Sequence, residues 1–185
     1  MMRLKEKYIK EVIPVLQKKF GYKTVMAVPR IEKVVVNTGF GRLAGTRAGD
    51  ELRKTLEAIR SDLSILAGQR AILTKAKHSI AGFKLRQGSP VGAKVTLRGV
   101  RMYDFLDRLI HVMFPRSRDF RGLESSVCDG AGNLGIGIKE HIFFPEISPE
   151  KVKDIFGLQV TVTTTAKSNK EGLELFSLLG FPFKK

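Results

Sequence analysis

Three segments of this chain alternate apolar and polar side chains with a period of two, and that constrains its fold more than any other feature. From Val91 to Leu97, residues Val91, Ala93, Val95 and Leu97 point one way, while Lys94, Thr96 and the following Arg98 point the other. From Leu158 to Thr165, Leu158, Val160 and Val162 oppose Gln159, Thr161, Thr163 and Thr165. From Ile31 to Asn37, Val34 and Val36 oppose Lys33 and Asn37, with Val35 on the polar side. Successive strand residues face opposite ways, so these segments need a sheet with one buried and one polar face. That is the signature of an antiparallel sheet, since strands of a parallel sheet are covered on both faces. The predicted class is therefore α+β, with an antiparallel sheet and its helices packed on one face, the other face being polar and basic.

The helices that would cover the apolar face have their own periodicity. Residues 3–20 place Leu4, Tyr8, Ile9, Val12, Ile13 and Leu16 on one stripe, with a kink or restart at Pro14 and an end at Gly21. Gly49 to Ala67 repeats Leu52, Leu56, Ile59, Leu63 and Leu66 at helical spacing and stops at Gly68. Residues 101–114 gather Met102, Phe105, Leu106, Leu109, Ile110 and Met113, with Pro115 as the terminator. Residues 123–135 read as a glycine-punctuated loop and Ile136 to Phe144 as a strand. Ser148-Pro149-Glu150 opens a short helix. Ser168-Asn169-Lys170-Glu171 is a capping box for the last one.

Between Leu63 and Tyr103 there is no Asp or Glu, yet eight cations stand there: Arg70, Lys75, Lys77, Lys84, Arg86, Lys94, Arg98 and Arg101. Residues 74–88, flanked by the β-branched runs Ala71 to Thr74 and Val91 to Leu97, form a long basic hairpin loop. Surface cations normally alternate with acids; their segregation here points to a polyanionic partner. A half-exposed polar sheet is ordinarily just solvated, but this loop continues the same surface, which favours a nucleic-acid platform.

The whole chain agrees. It has 185 residues, 33 Lys and Arg against 18 Asp and Glu, and a net charge of +15. That length suits a single domain over 1–185. No apolar run approaches the roughly 18 residues of a spanning helix, the first segment lacks the pattern of a signal peptide, and no basic amphipathic helix exposes large apolar residues to a membrane surface. The single Cys128 leaves no disulfide framework or multi-cysteine metal site, which fits a reducing intracellular setting.

Enzyme readings are weak. Gly39-Phe40-Gly41-Arg42-Leu43-Ala44 is formally a dinucleotide-binding G-x-G-x-x-A using Gly39, Gly41 and Ala44. Loop residues follow it instead of a helix, and the next strand runs into Thr74-Lys75 without an acid, so turn glycines are the better account. Cys128 with His111 or His141 as base has no local signature, and the three histidines lack metal-ligand spacing. Asp104 and Asp107 sit among Arg101 and Arg108 as on a solvated helix face. The expectation is no catalysis, no cofactor and no small-molecule substrate.

At specific motifs the chain resembles a known family. These are Val28-Pro29-Arg30-Ile31-Glu32-Lys33-Val34-Val35-Val36-Asn37, Ile72-Leu73-Thr74-Lys75-Ala76-Lys77, Ser79-Ile80-Ala81-Gly82-Phe83-Lys84-Leu85-Arg86-Gln87-Gly88 and Lys94-Val95-Thr96-Leu97-Arg98-Gly99. Further along come Arg118-Asp119-Phe120-Arg121-Gly122-Leu123, Phe144-Pro145-Glu146-Ile147, Thr163-Thr164-Thr165-Ala166-Lys167-Ser168 and Gly180-Phe181-Pro182-Phe183. Together they resemble bacterial large-subunit ribosomal protein five, the 5S rRNA-binding ribosomal protein family.

The resemblance implies a structural constituent of the large subunit, located in cytoplasmic ribosomes. Its implied partners are 5S rRNA, large-subunit rRNA, peptidyl-site tRNA, small-subunit ribosomal protein thirteen and other proteins of the central protuberance. By position it implies 5S rRNA contacts at Lys33, Asn37, Gln69, Lys94, Thr96 and Arg98. It also implies tRNA contacts at Lys75, Lys77, His78, Lys84 and Arg86. Arg116, Arg118 and Arg121, in the basic connection after Pro115, are candidates for a subunit bridge or equally for simple solvation of a helix end. Three positions depart from the family pattern. Arg70-Ala71 stands where Lys-Pro is frequent, which predicts a looser backbone; His78 replaces Lys or Arg; Ala131 replaces Arg in the turn Asp129 to Asn133. Phe83 and His78 have two readings, stacking on bases or, for Phe83, anchoring the loop on its own domain.

Overall fold

The computed structural model describes residues 3–41, 47, 49–83, 85–118, 120–148, 150, 152 and 154–184. In order the elements are α1 (Leu4–Lys7), a π turn (Tyr8–Val12), α2 (Ile13–Phe20), β1 (Ile31–Gly39), α3 (Gly49–Ala67), β2 (Ile72–Lys75), β3 (Pro90–Leu97) and α4 (Gly99–Arg108). A second π turn (Leu109–Met113), α5 (Phe114–Arg116), β4 (Leu134–Ile138), β5 (Leu158–Thr164) and α6 (Asn169–Leu179) follow. The fold is α+β, with one five-stranded antiparallel sheet in the order β2-β3-β1-β5-β4. The segment read as a short helix at Ser148-Pro149-Glu150 includes residues outside those described.

Both π turns sit immediately before a residue-proline pair, Ile13-Pro14 and Phe114-Pro115. Proline has no N–H for the carbonyl four residues back, and its ring collides with that carbonyl in a regular helix. One wide turn relieves the clash and lets the helix run on. Pro115 therefore does not end its helix as the sequence suggested: the chain stays helical to Arg116, and Ser117 N–H closes it on the Met113 carbonyl at 3.0 Å. Gly21 ends α2 in the left-handed region, φ 69°.

The strand expected over Ile136–Phe144 lies earlier, at Leu134–Ile138. Leu134, Ile136 and Ile138 are buried while Gly135 and Gly137 face out, so the glycines that suggested a loop are the outward half of an alternation. Beyond Ile138 the chain turns at His141–Phe143, where the His141 N–H bonds the Phe156 carbonyl at 3.1 Å.

The chain divides into two compact units, Met1–Val34 with Arg98–Ile136 and Thr161–Lys185, and Val35–Leu97 with Gly137–Val160; the division runs through β1, β4 and β5. In the first unit Leu4, Tyr8, Val12 and Leu16 form the buried stripe, while Ile9, expected on it, is 53% exposed in the π turn and Ile13 is half-buried. Met102, Phe105, Leu106, Leu109 and Met113 are buried from α4 through the second π turn. α1 packs on α4, and α6 on the first π turn. The capping box holds: Ser168 Oγ accepts the Glu171 N–H at 3.4 Å, and Glu171 Oε2 accepts the Lys167 N–H at 2.9 Å. In the second unit α3 packs on β3, with Leu56, Ile59, Leu63 and Leu66 buried opposite Ala93, Val95 and Leu97. Truncating a fully buried leucine such as Leu63 to alanine costs about 2–5 kcal/mol.

Candidate RNA interface

The polar side of the strands starts with register. β2 pairs with β3 through Ile72↔Lys94, Leu73↔Ala93 and Thr74↔Gly92. Directly opposed residues share a face, so Ile72 and Thr74 stand with Lys94 on the polar side, and Leu73 goes with buried Ala93. Ile72 is 65% exposed. Asn37 is half-buried on β1, Lys94 is exposed and Thr96 half-buried on β3. Gly92 is required here. A Cβ on it would lie 2.7 Å from Thr74 Oγ1 and 2.8 Å from the Thr38 carbonyl, so no side chain fits where these strands meet. In the first unit Lys33 is half-buried, Arg98 exposed, and Thr161 and Thr163 half-buried on β5.

Side chains from α3 fix the root of the basic arm. Ser64 Oγ accepts the Ala71 N–H at 2.9 Å, and Arg60 Nε donates to the Ala71 carbonyl at 3.2 Å. Ala71 is buried. The looser backbone expected from alanine in place of proline is thus not found, because both of its polar groups are held from α3. Gln69 is half-buried and donates from Nε2 to the Thr96 carbonyl at 3.3 Å. Its amide nitrogen ties the turn after α3 to β3 rather than reaching outward.

Beyond the root the arm stays paired. Ala76 N–H meets the Ser89 carbonyl at 2.8 Å and Gly88 N–H meets the Ala76 carbonyl at 3.0 Å. Gly88 takes φ 86°, a left-handed conformation that favours glycine. Ser79 Oγ accepts the Gln87 N–H at 2.9 Å. Nearer the tip, Ile80 and Leu85 exchange N–H and carbonyl bonds at 3.0 and 3.2 Å. Lys75, Lys77, His78 and Arg86 are exposed along this ladder; Lys84 lies outside the described residues. Phe83 is 70% exposed, so it does not anchor the arm on its own domain.

A few of the described cations are paired within the chain, and those of the strands and arm are not among them. Elsewhere Arg47 forks onto Asp154 at 2.6 and 2.8 Å, Lys19 meets Glu174 at 2.7 Å and Lys184 meets Glu124 at 2.8 Å. Among the described residues, no ion pair reaches Lys33, Lys75, Lys77, Arg86, Lys94 or Arg98.

Arg116, Arg118 and Arg121 are exposed on the connection after the second π turn. Asp119 is outside the described residues. The connection itself is fastened: Phe120 stacks on Phe114 at 4.6 Å, and Leu123 N–H bonds the Pro182 carbonyl at 2.7 Å. The turn Asp129 to Asn133 is structural. Asp129 accepts from the N–H groups of Ala131 and Asn133, Asn169 Nδ2 donates to the Cys128 and Asp129 carbonyls, and Thr164 Oγ1 donates to the Gly132 carbonyl at 2.8 Å. Hydrogen bonds from Asn133 and Ala131 keep the Asp129 carboxyl below the usual carboxylate range.

None of the residues weighed for chemistry is arranged for it. Burial, and then the Asp129 charge, push the Cys128 thiol up, the wrong direction for a nucleophile. His111 Nδ1 lies 3.2 Å from Asp107 Oδ1 one helical turn away. His141 is fully buried, stacked on Phe156 at 3.8 Å. Phe40 N–H bonds the Val91 carbonyl at 3.0 Å, so the strand beside Gly39 is antiparallel β3 and not the parallel neighbour of a dinucleotide site; Arg42 to Ala44 lie outside the described residues. Among the described residues no cluster of His, Cys, Asp and Glu is placed to hold a metal, and no helix is long and apolar enough to cross a membrane.

Sequence reasoning left Ile72 and Gly92 out of the surface, and placed Gln159, Thr161 and Thr163 on its polar side without assigning them a role. The alternation of β5 carried the signal for the last three. Ile72 and Gly92 depend on which strand lies alongside, which no local pattern states.

Comparison with known families agrees with this geometry. A family model described as Ribosomal protein L5 matches residues 24–86, and a second, describing the C-terminus of the same ribosomal family, matches residues 90–183. With an antiparallel sheet, unpaired cations on its polar strands and a basic arm, the chain belongs to the ribosomal protein L5 family: RNA-binding structural proteins of the large subunit in cytoplasmic ribosomes, acting in translation and not enzymes.

Proposed function

We propose that this chain binds 5S rRNA through the polar sides of its strands, using Lys33, Asn37, Lys94, Thr96 and Arg98, with Gln69 as the strut behind Thr96. In doing so it helps attach 5S rRNA to large-subunit rRNA in the central protuberance. The arm over 74–88 contacts peptidyl-site tRNA through Lys75, Lys77, His78, Lys84 and Arg86. Arg116, Arg118 and Arg121 contribute to a bridge to small-subunit ribosomal protein thirteen. The observation that carries this reading is the set of cations on strands and arm that no acid of the described chain neutralises. Recognition of this kind works through phosphate positions and backbone shape, which suits a folded RNA on rigid strands and a variety of tRNAs on the arm.

The test divides the two surfaces. Lys75→Ala, Lys77→Ala and Lys84→Ala together leave 5S binding near wild type. At about 1 kcal/mol per lost phosphate contact, they speed tRNA dissociation from the peptidyl site of reconstituted ribosomes. Asn37→Ala with Arg98→Ala weakens 5S binding in a filter assay and leaves the arm's contact alone. Equal loss of 5S affinity in both variants overturns the division. For the bridge, whole-ribosome footprints in which the Arg116 to Arg121 segment is equally exposed with and without the small subunit overturn that role.

A further inference from the structure

The arm ends in something its charges do not explain. Its tip is a single tight turn, Ala81–Phe83, in which Phe83 N–H bonds the Ile80 carbonyl at 3.3 Å and the Ile80–Leu85 pair closes the base. On that turn Phe83 is 70% and Ile80 47% exposed, while Lys75 at the end of β2, and Lys77 and Arg86 on the two legs of the arm, stand exposed below it. Phosphate oxygens offer nothing to a phenyl ring, which has neither charge nor a hydrogen-bond donor. The apolar surface that nucleic acid does present is the face of a base, and aromatic rings set among cations are how proteins take hold of it. The paired backbone holds the Phe83 main chain in place before any partner arrives, so only the side chain remains to be ordered on binding.

We propose that Phe83 is the base-stacking residue of the arm, lying against an exposed nucleobase face of the bound tRNA while Lys75, Lys77 and Arg86 hold the flanking phosphates. The proposal rests on the reading that the arm meets tRNA, and deepens it from charge contact to stacking. Every base has a π-face, so stacking tolerates sequence, as a surface serving many tRNAs requires. An apolar pocket on a protein is the rival occupant. It is disfavoured because the arm is free of acid between Leu63 and Tyr103, which matches a polyanion rather than the mixed charge of a protein surface.

The chain contains no tryptophan, so Phe83→Trp places the sole indole at the tip, where it can be excited apart from the tyrosines. With the full-length variant and deacylated tRNA, the indole emission is quenched on binding and affinity stays near wild type. Phe83→Ala lowers tRNA affinity about ten-fold, within the range for loss of one base–aromatic stack, and leaves the salt slope unchanged. Phe83→Tyr restores binding and Phe83→Leu, with similar apolar area and no π-face, does not. Lys75→Ala with Lys77→Ala instead lowers the salt slope by about two units. Affinity for 5S rRNA is the same throughout. Wild-type tRNA affinity in Phe83→Ala, or equal rescue by Leu and Tyr, overturns stacking while a weakened lysine variant keeps the arm reading. Loss of effect in both the Phe83 and lysine variants overturns the arm reading itself. Indole emission that answers ribosomal proteins and not tRNA assigns the tip to a protein pocket and overturns the proposal.

Discussion

At the scale of the residue, two positions in the interior are set by what cannot fit or cannot be charged. A Cβ on Gly172 would lie 2.5 Å from the Gly132 Cα and 2.6 Å from its carbonyl oxygen. Both obstacles are backbone, and Gly132 is itself at φ 78° and closed by Thr164. Gly172→Ala is therefore expected to destabilise by about 1–3 kcal/mol through overpacking, although alanine is the better helix former. Urea unfolding of the two proteins measures it.

His141 presents the other case. Its Nδ1 accepts the Phe156 N–H at 3.4 Å, and its buried Nε2 has no hydrogen-bond partner, with Asp62 Oδ2 at 3.9 Å. Burial lowers its pKa from 6.5, outweighing Asp62 and Glu140, which raise it. Asp62 also lines a cavity of about 340 Å³ with Arg47, Glu51, Lys54 and Asp154. A histidine whose folded pKa is depressed takes up its proton more readily in the unfolded chain. Its contribution is intact above the ordinary pKa and is lost as pH falls through the window below it. Stability of the wild type is thus expected to fall as pH drops below about 6.5, and His141→Gln to flatten that fall. Burial pushes the Asp62 carboxyl the other way, upward, so its protonation favours the folded state as pH falls and opposes the His141 effect. Matching urea midpoints for the two proteins across the range would remove His141 as the cause.

At the scale of the element, the arm is a β-hairpin whose direction is decided at its root. Ser64 and Arg60, one turn apart on α3, hold the N–H and carbonyl of Ala71. Ser64→Ala leaves a buried N–H unpaired, at about 1–3 kcal/mol. Hydrogen exchange should rise at Ala71 and along β2, with the first unit unaffected. Replacing Ala71 by proline in the Ser64→Ala background removes the unpaired donor and is expected to restore most of the loss. Failure of that rescue would show that Ser64 acts through something other than the Ala71 N–H. The two π turns belong to this scale as well: each lets a helix absorb a proline that would otherwise break it.

At the scale of the whole molecule, the net charge of +15 sets association and its salt dependence. If about five phosphates are neutralised on 5S rRNA, the log–log slope of affinity against salt is expected near −4, and a slope near zero would remove phosphate contact as the main term. The sequence by itself determined most of the residues that face inward, Ile9 in the first π turn being an exception. Alternation on β1, β3 and β5, the stripes of α1, α2 and α3, the caps at Ser168 and Gly21, and the acid-free arm are all local patterns. They follow from strand and helix periods and from the absence of acids, so each was legible before any contact was known. The tertiary structure decided what lies beside what. The strand order, the Ile72↔Lys94 register, the need for Gly92, the turning of Gln69 onto Thr96 and the exposure of Phe83 depend on partners far away in the chain. A residue's period fixes its face, but its neighbour across the sheet is chosen by the packing of every other element, and no local pattern contains that choice.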